Sequence, residues 1–207
     1  MFLGLVLLLS LATPPNDPVG ASLESFARVA SYRVTLRAGQ GDSAEIIRYS
    51  YKKPGFIRMD FIRPHKGALL VYDPATKKVR LRPFGFARAL TLTLDPGNRL
   101  VKSAQGHTVD QSDIGTLLGR AQALQLKGKA EVLGEETVGE RKTLLVSVEG
   151  DKDFALDGTH RFLLNLDEAT WLPLKTRSYD TAGNLREEVL LDDLETDVQL
   201  DDALFKP

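Results

Sequence analysis

A hairpin with matched side-chain parity constrains the fold of this chain most strongly. Two strand-like segments, residues 43–53 and 56–63, meet at a Pro54-Gly55 turn, and the apolar residues of both lie at odd-numbered positions. Successive side chains of a strand point to opposite faces, so the pattern predicts one apolar and one charged face. The apolar face carries Ile47, Tyr49, Tyr51, Ile57, Met59 and Phe61, and the charged face carries Arg48, Lys52, Arg58 and Asp60. Either the protein's own core or a hydrophobic ligand must cover the apolar face.

Strand patterns continue through most of the chain and are interrupted by two helical patterns. The first predicted helix spans residues 22–30 and is capped by Ser22. The second begins near Gln111, after Asp110 as the N-cap, and places Ile114, Leu117 and Leu118 at helical spacing. About ten short strands with short connections and two helices predict a mainly β fold with helices, of the α+β class. We expect a strongly curved antiparallel half-barrel of about 10 or 11 strands, with helices covering its concave face.

The N-terminus predicts export. Residues 2–12 form an apolar run that is too short to span a bilayer but suits the hydrophobic region of a secretory signal. Val19 and Ala21 place short side chains at positions minus three and minus one of a cleavage site after Ala21, although no Lys or Arg precedes Arg28. The predicted organisation is a signal peptide at residues 1–21 followed by a single domain at residues 22–207.

Charge and cysteine content narrow the classes of partner. The chain has 27 basic and 28 acidic residues, and the predicted signal contains one acid and no base. This balance gives no electrostatic reason to expect binding to nucleic acid or to an anionic membrane. The chain has no cysteine, so it has neither a disulfide nor the thiol that bacterial lipidation requires. We expect a soluble, monomeric periplasmic protein.

Residues that suggest catalysis or metal binding are few. His107, Asp110 and Asp113 form the one cluster of histidine and acids, and their spacing matches no metal motif. Helix capping by the two aspartates explains the cluster better. No Gly-x-Ser-x-Gly sequence and no phosphate-binding glycine motif occurs. We expect no enzymatic activity, no cofactor and no metal.

Four short segments resemble the periplasmic outer-membrane lipoprotein carriers and their relatives, the LolA/LolB-like superfamily. They read KKPGFIR at residues 52–58, GALLVYD at 67–73, TKKV at 76–79 and LFKP at 204–207. The resemblance implies a half-barrel, a helical lid, a hydrophobic cavity between them and no catalysis. It also implies an acylated lipoprotein or lipid as cargo, with an inner-membrane donor and an outer-membrane acceptor protein as partners.

The carrier family has an arginine directly before the proline of the first segment, where it helps to hold the lid closed. Lys53 occupies that position here, and Ile57 replaces the family's phenylalanine. Lysine keeps the charge but lacks the planar guanidinium that can bond several carbonyls at once. Lys53 shares the odd parity of the apolar residues, so we expect it to point into the cavity and to donate to carbonyls or hydroxyls of the covering helices.

The predicted function is to carry or shield acyl chains during lipoprotein sorting or lipid trafficking in the envelope. The predicted cavity residues are Ile47, Tyr49, Tyr51, Lys53, Ile57, Met59, Phe61, Leu70, Ile114, Leu117 and Leu118. Two alternatives remain open. A sensor or structural protein of the same fold would fill its groove with its own side chains and act through protein contacts, and an enzyme or metal protein would show convergent histidine and aspartate side chains.

Overall fold

One open antiparallel sheet forms most of the molecule. The computed structural model describes residues 15–39, 41, 44–84, 90–103 and 105–206. The predicted hydrophobic signal region, residues 2–12, therefore lies outside the described residues, as do Ser43 and Pro207. The helices are α1 (Pro18–Arg28) and α2 (Ile114–Leu126). The strands are β1 (Ser31–Ala38), β2 (Glu45–Lys52), β3 (Phe56–Arg63), β4 (Leu69–Asp73), β5 (Lys78–Arg82), β6 (Leu92–Leu94), β7 (Gly128–Val138), β8 (Arg141–Gly150), β9 (Arg161–Asp167), β10 (Pro173–Tyr179) and β11 (Leu185–Thr196).

The strand order joins two sequential halves at the middle of the sheet. It runs β6-β5-β4-β3-β2-β1-β11-β10-β9-β8-β7, so β1 pairs with β11 and the two edges are β6 and β7. Each half is a meander in which neighbours in sequence are neighbours in space. An eleven-stranded sheet that does not close, with two helices against one face, confirms the mainly β class and is consistent with an open half-barrel.

The hairpin register confirms the predicted parity. Tyr49 lies opposite Met59, and the flanking pairs Ile47 with Phe61 and Tyr51 with Ile57 share the same face. All six residues belong to, or pack against, a core cluster that includes Phe26 of α1 and Ile114 and Leu118 of α2. The predicted concave face is thus the face covered by both helices, which we call the inner face.

The opposite face, called the outer face, is partly covered by the C-terminal segment. Arg58 pairs with Asp60 on this face (Nη2 to Oδ1, 2.7 Å) and donates to the Leu204 carbonyl at 2.8 Å. Val71, which lies opposite Arg58 on β4, is buried against Phe205. The predicted charged residues are where the sequence places them, but apolar side chains from residues 198–205 shield the surface near β3 and β4.

Helix α1 begins five residues earlier than predicted, counted from N-cap to N-cap. Asp17, not Ser22, is the N-cap, and its carboxylate accepts from the Gly20 amide at 3.0 Å. Val19 and Ser22 are fully buried, so the first turn belongs to the core. Cleavage after Ala21 would remove this capped turn, whereas cleavage before Asp17 would leave it intact.

Helix α2 begins three residues later than predicted. Asp113 is its N-cap and accepts from the Thr116 amide at 3.1 Å and from the Thr116 hydroxyl at 2.7 Å, whereas Gln111 ends a preceding 3₁₀ turn, Val109–Gln111. The prediction that Asp110 caps the helix is wrong, because only Asp113 has the extended backbone that directs a side chain to the free amides of the first turn. The predicted packing of α2 on the inner face is confirmed by Ile114 and Leu118.

Candidate functional site

A cavity of about 460 Å³ lies between the inner face of the sheet, α2 and the segment around residues 100–113. Its volume lies within the range typical of small-molecule sites. Apolar side chains from neighbouring strands form its main wall: Val34, Leu36, Ile47, Met59, Phe61, Leu70, Val189 and Leu191. The remaining lining includes the titratable side chains of Glu45, His107, Arg120 and Glu187. The cavity therefore has both an apolar wall and a set of charged groups.

Seven of the eleven predicted cavity residues line this space, namely Ile47, Tyr49, Met59, Phe61, Leu70, Ile114 and Leu117. The other four do not. Tyr51 and Ile57 are buried on the sheet under the helices, Leu118 of α2 is buried in the same core, and Lys53 is exposed at the hairpin turn. The reason is that α1 fills the part of the inner face nearest the turn, so the cavity occupies only the part farther from it.

Residues of β1 and β11 also line the cavity, although the sequence patterns did not predict this. Val34 and Leu36 alternate with polar residues in β1, so their shared face was visible in the sequence, whereas in β11 the apolar Leu190 between Val189 and Leu191 hides the alternation. What places them beside the predicted hairpin is the pairing of β1 with β11, which joins residues more than 150 positions apart. Such a contact has no local sequence signal.

A stack of tyrosines links the start of α2 to the sheet. The Tyr32 ring lies between those of Tyr49 and Tyr51, with centroid distances of 5.8 and 5.0 Å. The Tyr32 hydroxyl accepts from the Ile114 amide at 3.2 Å, and the Tyr49 hydroxyl lies 3.2 Å from the Ser112 hydroxyl. Burial raises the pKa of Tyr32 and of Tyr49 well above its usual value, and raises the pKa of Tyr51 to about 12.

We predict that Tyr32, Tyr49 and Tyr51 ionise only as the protein unfolds. The unfolded chain loses phenolic protons near pH 10, while the folded chain retains them. Stability from these groups is therefore complete below about pH 10 and is lost as the pH rises toward the folded-state pKa values. In an alkaline titration followed by absorbance and circular dichroism, the tyrosinate absorbance of these three residues should appear together with the loss of the folded circular dichroism signal. Ionisation of all five tyrosines with the circular dichroism unchanged would contradict this.

Titratable side chains converge at one part of the cavity lining. His107 Nε2 lies 3.7 Å from Glu187 Oε2, and His107 Nδ1 lies 3.3 Å from the Arg120 guanidinium, which pairs with Asp157 at 3.1 Å. Burial raises the pKa of Glu187, and the nearby Glu45 carboxylate raises it further. Burial and the positive charge of Arg120 lower the pKa of His107. These groups can orient the polar end of an amphiphilic ligand.

The predicted cluster of His107 with Asp110 and Asp113 does not form the charged group in the cavity. Asp113 caps α2, and His107 instead contacts Arg120 and Glu187. Among the described residues, no group of three or more histidine, cysteine, aspartate or glutamate side chains could hold a metal ion.

Lys53 contacts α1 from outside the cavity. Its ammonium donates to the Ala27 carbonyl at 2.6 Å and lies 5.9 Å from the centre of the Phe26 ring. The prediction that Lys53 points into the cavity is wrong, because it belongs to the turn after β2, where strand parity no longer fixes direction. The carbonyl contact with a covering helix that was predicted for it is present. Since that carbonyl lies in the last turn of α1, the lysine charge also opposes the helix dipole favourably.

Comparison with known proteins shows the fold. An uncharacterised conserved protein from Thermus thermophilus matches with a TM-score of 0.57 and 11% identity, over 92% of this chain and 91% of that chain. The Pseudomonas aeruginosa MucA/MucB complex matches with a TM-score of 0.51 and 21% identity, over 92% of this chain but only 60% of the matched chain. This chain shares with both matched structures a fold in which helices cover one face of an open sheet, the arrangement that the resemblance implies.

Three further findings bear on the kind of protein this is. No curated protein matches it in sequence. Within the part of the chain that the structure describes, neither helix has the length and apolar character needed to cross a membrane.

One family model matches residues 33–207, which include every strand of the sheet except the first two residues of β1, and its description is "Protein of unknown function (DUF1571)". The chain therefore belongs to the DUF1571 family.

Proposed function

We propose that this protein binds an acyl chain of a lipid or lipoprotein in the cavity and carries or shields it in the periplasm without catalysing a reaction. The observation that supports this most directly is an apolar wall, built from adjacent strands, that faces unfilled space under α2. The charged groups at the cavity would remain with the polar end of the ligand, while the wall would shield its hydrocarbon.

The cavity volume favours one acyl chain per protein molecule. A cavity of about 460 Å³ lies within the range of sites that hold one drug-sized ligand, which is the size class of a single acyl chain. At about 0.8 kcal/mol for each buried methylene, burying roughly ten of them would contribute about 8 kcal/mol before the cost of ordering the chain. One chain is therefore sufficient for stable binding.

Titration with a fluorescent palmitate analogue tests the proposal. We expect saturable binding at one analogue per protein, with displacement by unlabelled palmitate. Native mass spectrometry of protein purified from the periplasm should show one co-purifying acyl species. Absence of saturable binding, together with lipid-free protein from the periplasm, would contradict the proposed function.

The comparison with the MucA/MucB complex supports a second candidate, a protein that acts through contacts with another protein in the envelope. That match has a TM-score of 0.51 and includes only 60% of the neighbour's chain. This candidate predicts no acyl binding and a polypeptide partner instead. The palmitate titration separates the two, because only an acyl-binding protein should respond with fixed stoichiometry.

We also propose that Lys53 holds α1 against the sheet when the cavity is empty. Replacing it with leucine removes the donor to the Ala27 carbonyl, worth about 1 kcal/mol, but retains an apolar stem beside Phe26. Lys53→Leu should slow transfer of the bound palmitate analogue to acceptor vesicles by roughly fivefold, because the closed, ligand-free state is disfavoured.

Lys53→Arg is the matched control, since it keeps a cationic donor at the same position. It should transfer ligand at the wild-type rate. Equal transfer rates for wild type and Lys53→Leu at equal loading would reject this role for Lys53.

A further inference from the structure

Four large apolar side chains are exposed near the cavity, on the β3 to β6 side of the molecule. Their exposed fractions are 51% for Phe84, 58% for Leu90, 38% for Leu92 and 66% for Leu100. Single exposed apolar residues are common, but a group of them beside one site marks an interaction surface. We call these four residues the apolar rim.

The contacts of the apolar rim connect it to the cavity. Leu100 lines the cavity directly. Phe84 stacks on His65, with ring centroids 5.0 Å apart, and His65 is itself a lining residue. Leu92 lies opposite Leu81, which packs against the core of the inner face. The rim therefore borders the cavity, unlike exposed Leu133 on the opposite edge strand, β7.

Basic side chains accompany the apolar rim. Arg99 and Lys102 flank the Leu100-Val101 pair, and Lys66 directly follows His65. All three are exposed, and within the described residues none of them forms an ion pair. Asp95, which directly follows β6, is already paired with Lys78 at 2.6 Å. Although the whole chain is almost neutral, this surface thus presents positive charge together with exposed hydrocarbon.

This combination suits the surface of an anionic lipid bilayer. Apolar side chains can enter the boundary between headgroups and acyl chains, while lysine and arginine remain among the anionic headgroups. Lysine is depleted at protein–protein interfaces, whereas two of the three cations beside the apolar rim are lysines, Lys66 and Lys102. We propose that the apolar rim docks on anionic phospholipid membranes and brings the cavity next to the source or destination of its acyl ligand.

This inference rests on the proposed function, because docking would serve to deliver or collect the acyl ligand. Vesicle binding itself can be measured without that ligand. The test is co-sedimentation of the protein with vesicles of phosphatidylcholine alone or of phosphatidylcholine mixed with phosphatidylglycerol. Wild type should partition at least tenfold better into the mixed vesicles, and added salt should reduce the difference.

Two variants alter the surface without touching the cavity lining. Leu90→Asp places a charge in the apolar rim, and Arg99→Glu reverses a flanking charge; each should reduce partition into mixed vesicles roughly tenfold. Leu133→Asp, an equivalent change at 52% exposure on β7, is the matched control and should partition as wild type does. All three should bind the fluorescent palmitate analogue normally in the absence of vesicles.

Several results would overturn the docking proposal. Equal partition of wild type into the two vesicle types would overturn it. An equal reduction in partition into mixed vesicles for Leu90→Asp and Leu133→Asp would also overturn it. A dimer that Leu90→Asp dissociates, with no vesicle binding by wild type, would assign the apolar rim to a second copy of the chain. Palmitate binding without vesicle binding would reject docking alone, and vesicle binding without palmitate binding would reject the proposed function alone.

Discussion

Val189→Trp should reduce affinity for the palmitate analogue by more than tenfold. Val189 lies on β11 between Ala38 of β1 and Thr176 of β10, and all three residues line the cavity. An indole ring at this position would project into the space that the acyl chain must occupy. Blocking even a few methylene sites at about 0.8 kcal/mol each accounts for a loss of this size.

Leu190→Trp provides the matched control for this prediction. Leu190 is the next residue of β11, so its side chain points to the outer face, where it lies opposite Arg37 and Lys175. Fluorescence titration should give wild-type affinity for this variant, and thermal unfolding should show that both variants are folded. Unchanged affinity in a folded Val189→Trp protein would place the acyl site elsewhere.

Gly115→Ala should lower the free energy of unfolding by about 1 to 3 kcal/mol, the range for overpacking a core contact. A Cβ at Gly115 would overlap Cε1 of Phe26 and lie 2.9 Å from its Cδ1. Phe26 has little freedom to move, because its ring also packs against Tyr32 and Tyr51 at centroid distances of 6.3 and 5.9 Å. The missing side chain therefore permits α1 and α2 to approach closely.

Gly119→Ala, one turn farther along α2, should have the opposite effect. Gly119 is exposed, and a Cβ there meets nothing within 4 Å. Alanine has the higher helix propensity, so this variant should gain about 0.5 to 1 kcal/mol. Denaturant unfolding of both variants measures the difference. Equal stabilisation by the two substitutions would show that the Phe26 ring can move aside to make room for a Cβ at position 115, and that the helices are not closely packed there.

Alternating patterns in the sequence correctly predicted which side chains lie on the inner face of the sheet. They did not predict how far the cavity extends along the strands. Odd parity in residues 47–61 identified the inner face because side-chain direction in a strand depends only on position. The same parity could not show where along the strands the covering helices end, so Tyr51 and Ile57 were assigned to the cavity although the chain's own helices cover them. The extent of the cavity depends on α1, whose first turn the sequence analysis assigned to the signal peptide.

The starts of the two helices were misplaced for a common reason. Asp17 and Asp113 cap the helices, whereas Ser22 and Asp110 were chosen. All four are residue types that favour an N-cap, and sequence alone does not show which one has the extended backbone that capping requires. Contacts made by tertiary structure, such as the Tyr32 hydroxyl on the Ile114 amide, decide between neighbouring candidates.

Pairing of the first strand with the last has a consequence for how the chain reaches its native state. Until residues 185–196 are available, β1 and β10 have no partner on the side that later faces β11. Both would then be unpaired edges of separate meanders, with apolar residues exposed to intermolecular strand pairing. Folding of the whole sheet must therefore wait until β11 has been synthesised, and chains interrupted before residue 185 should aggregate rather than form half of the native structure.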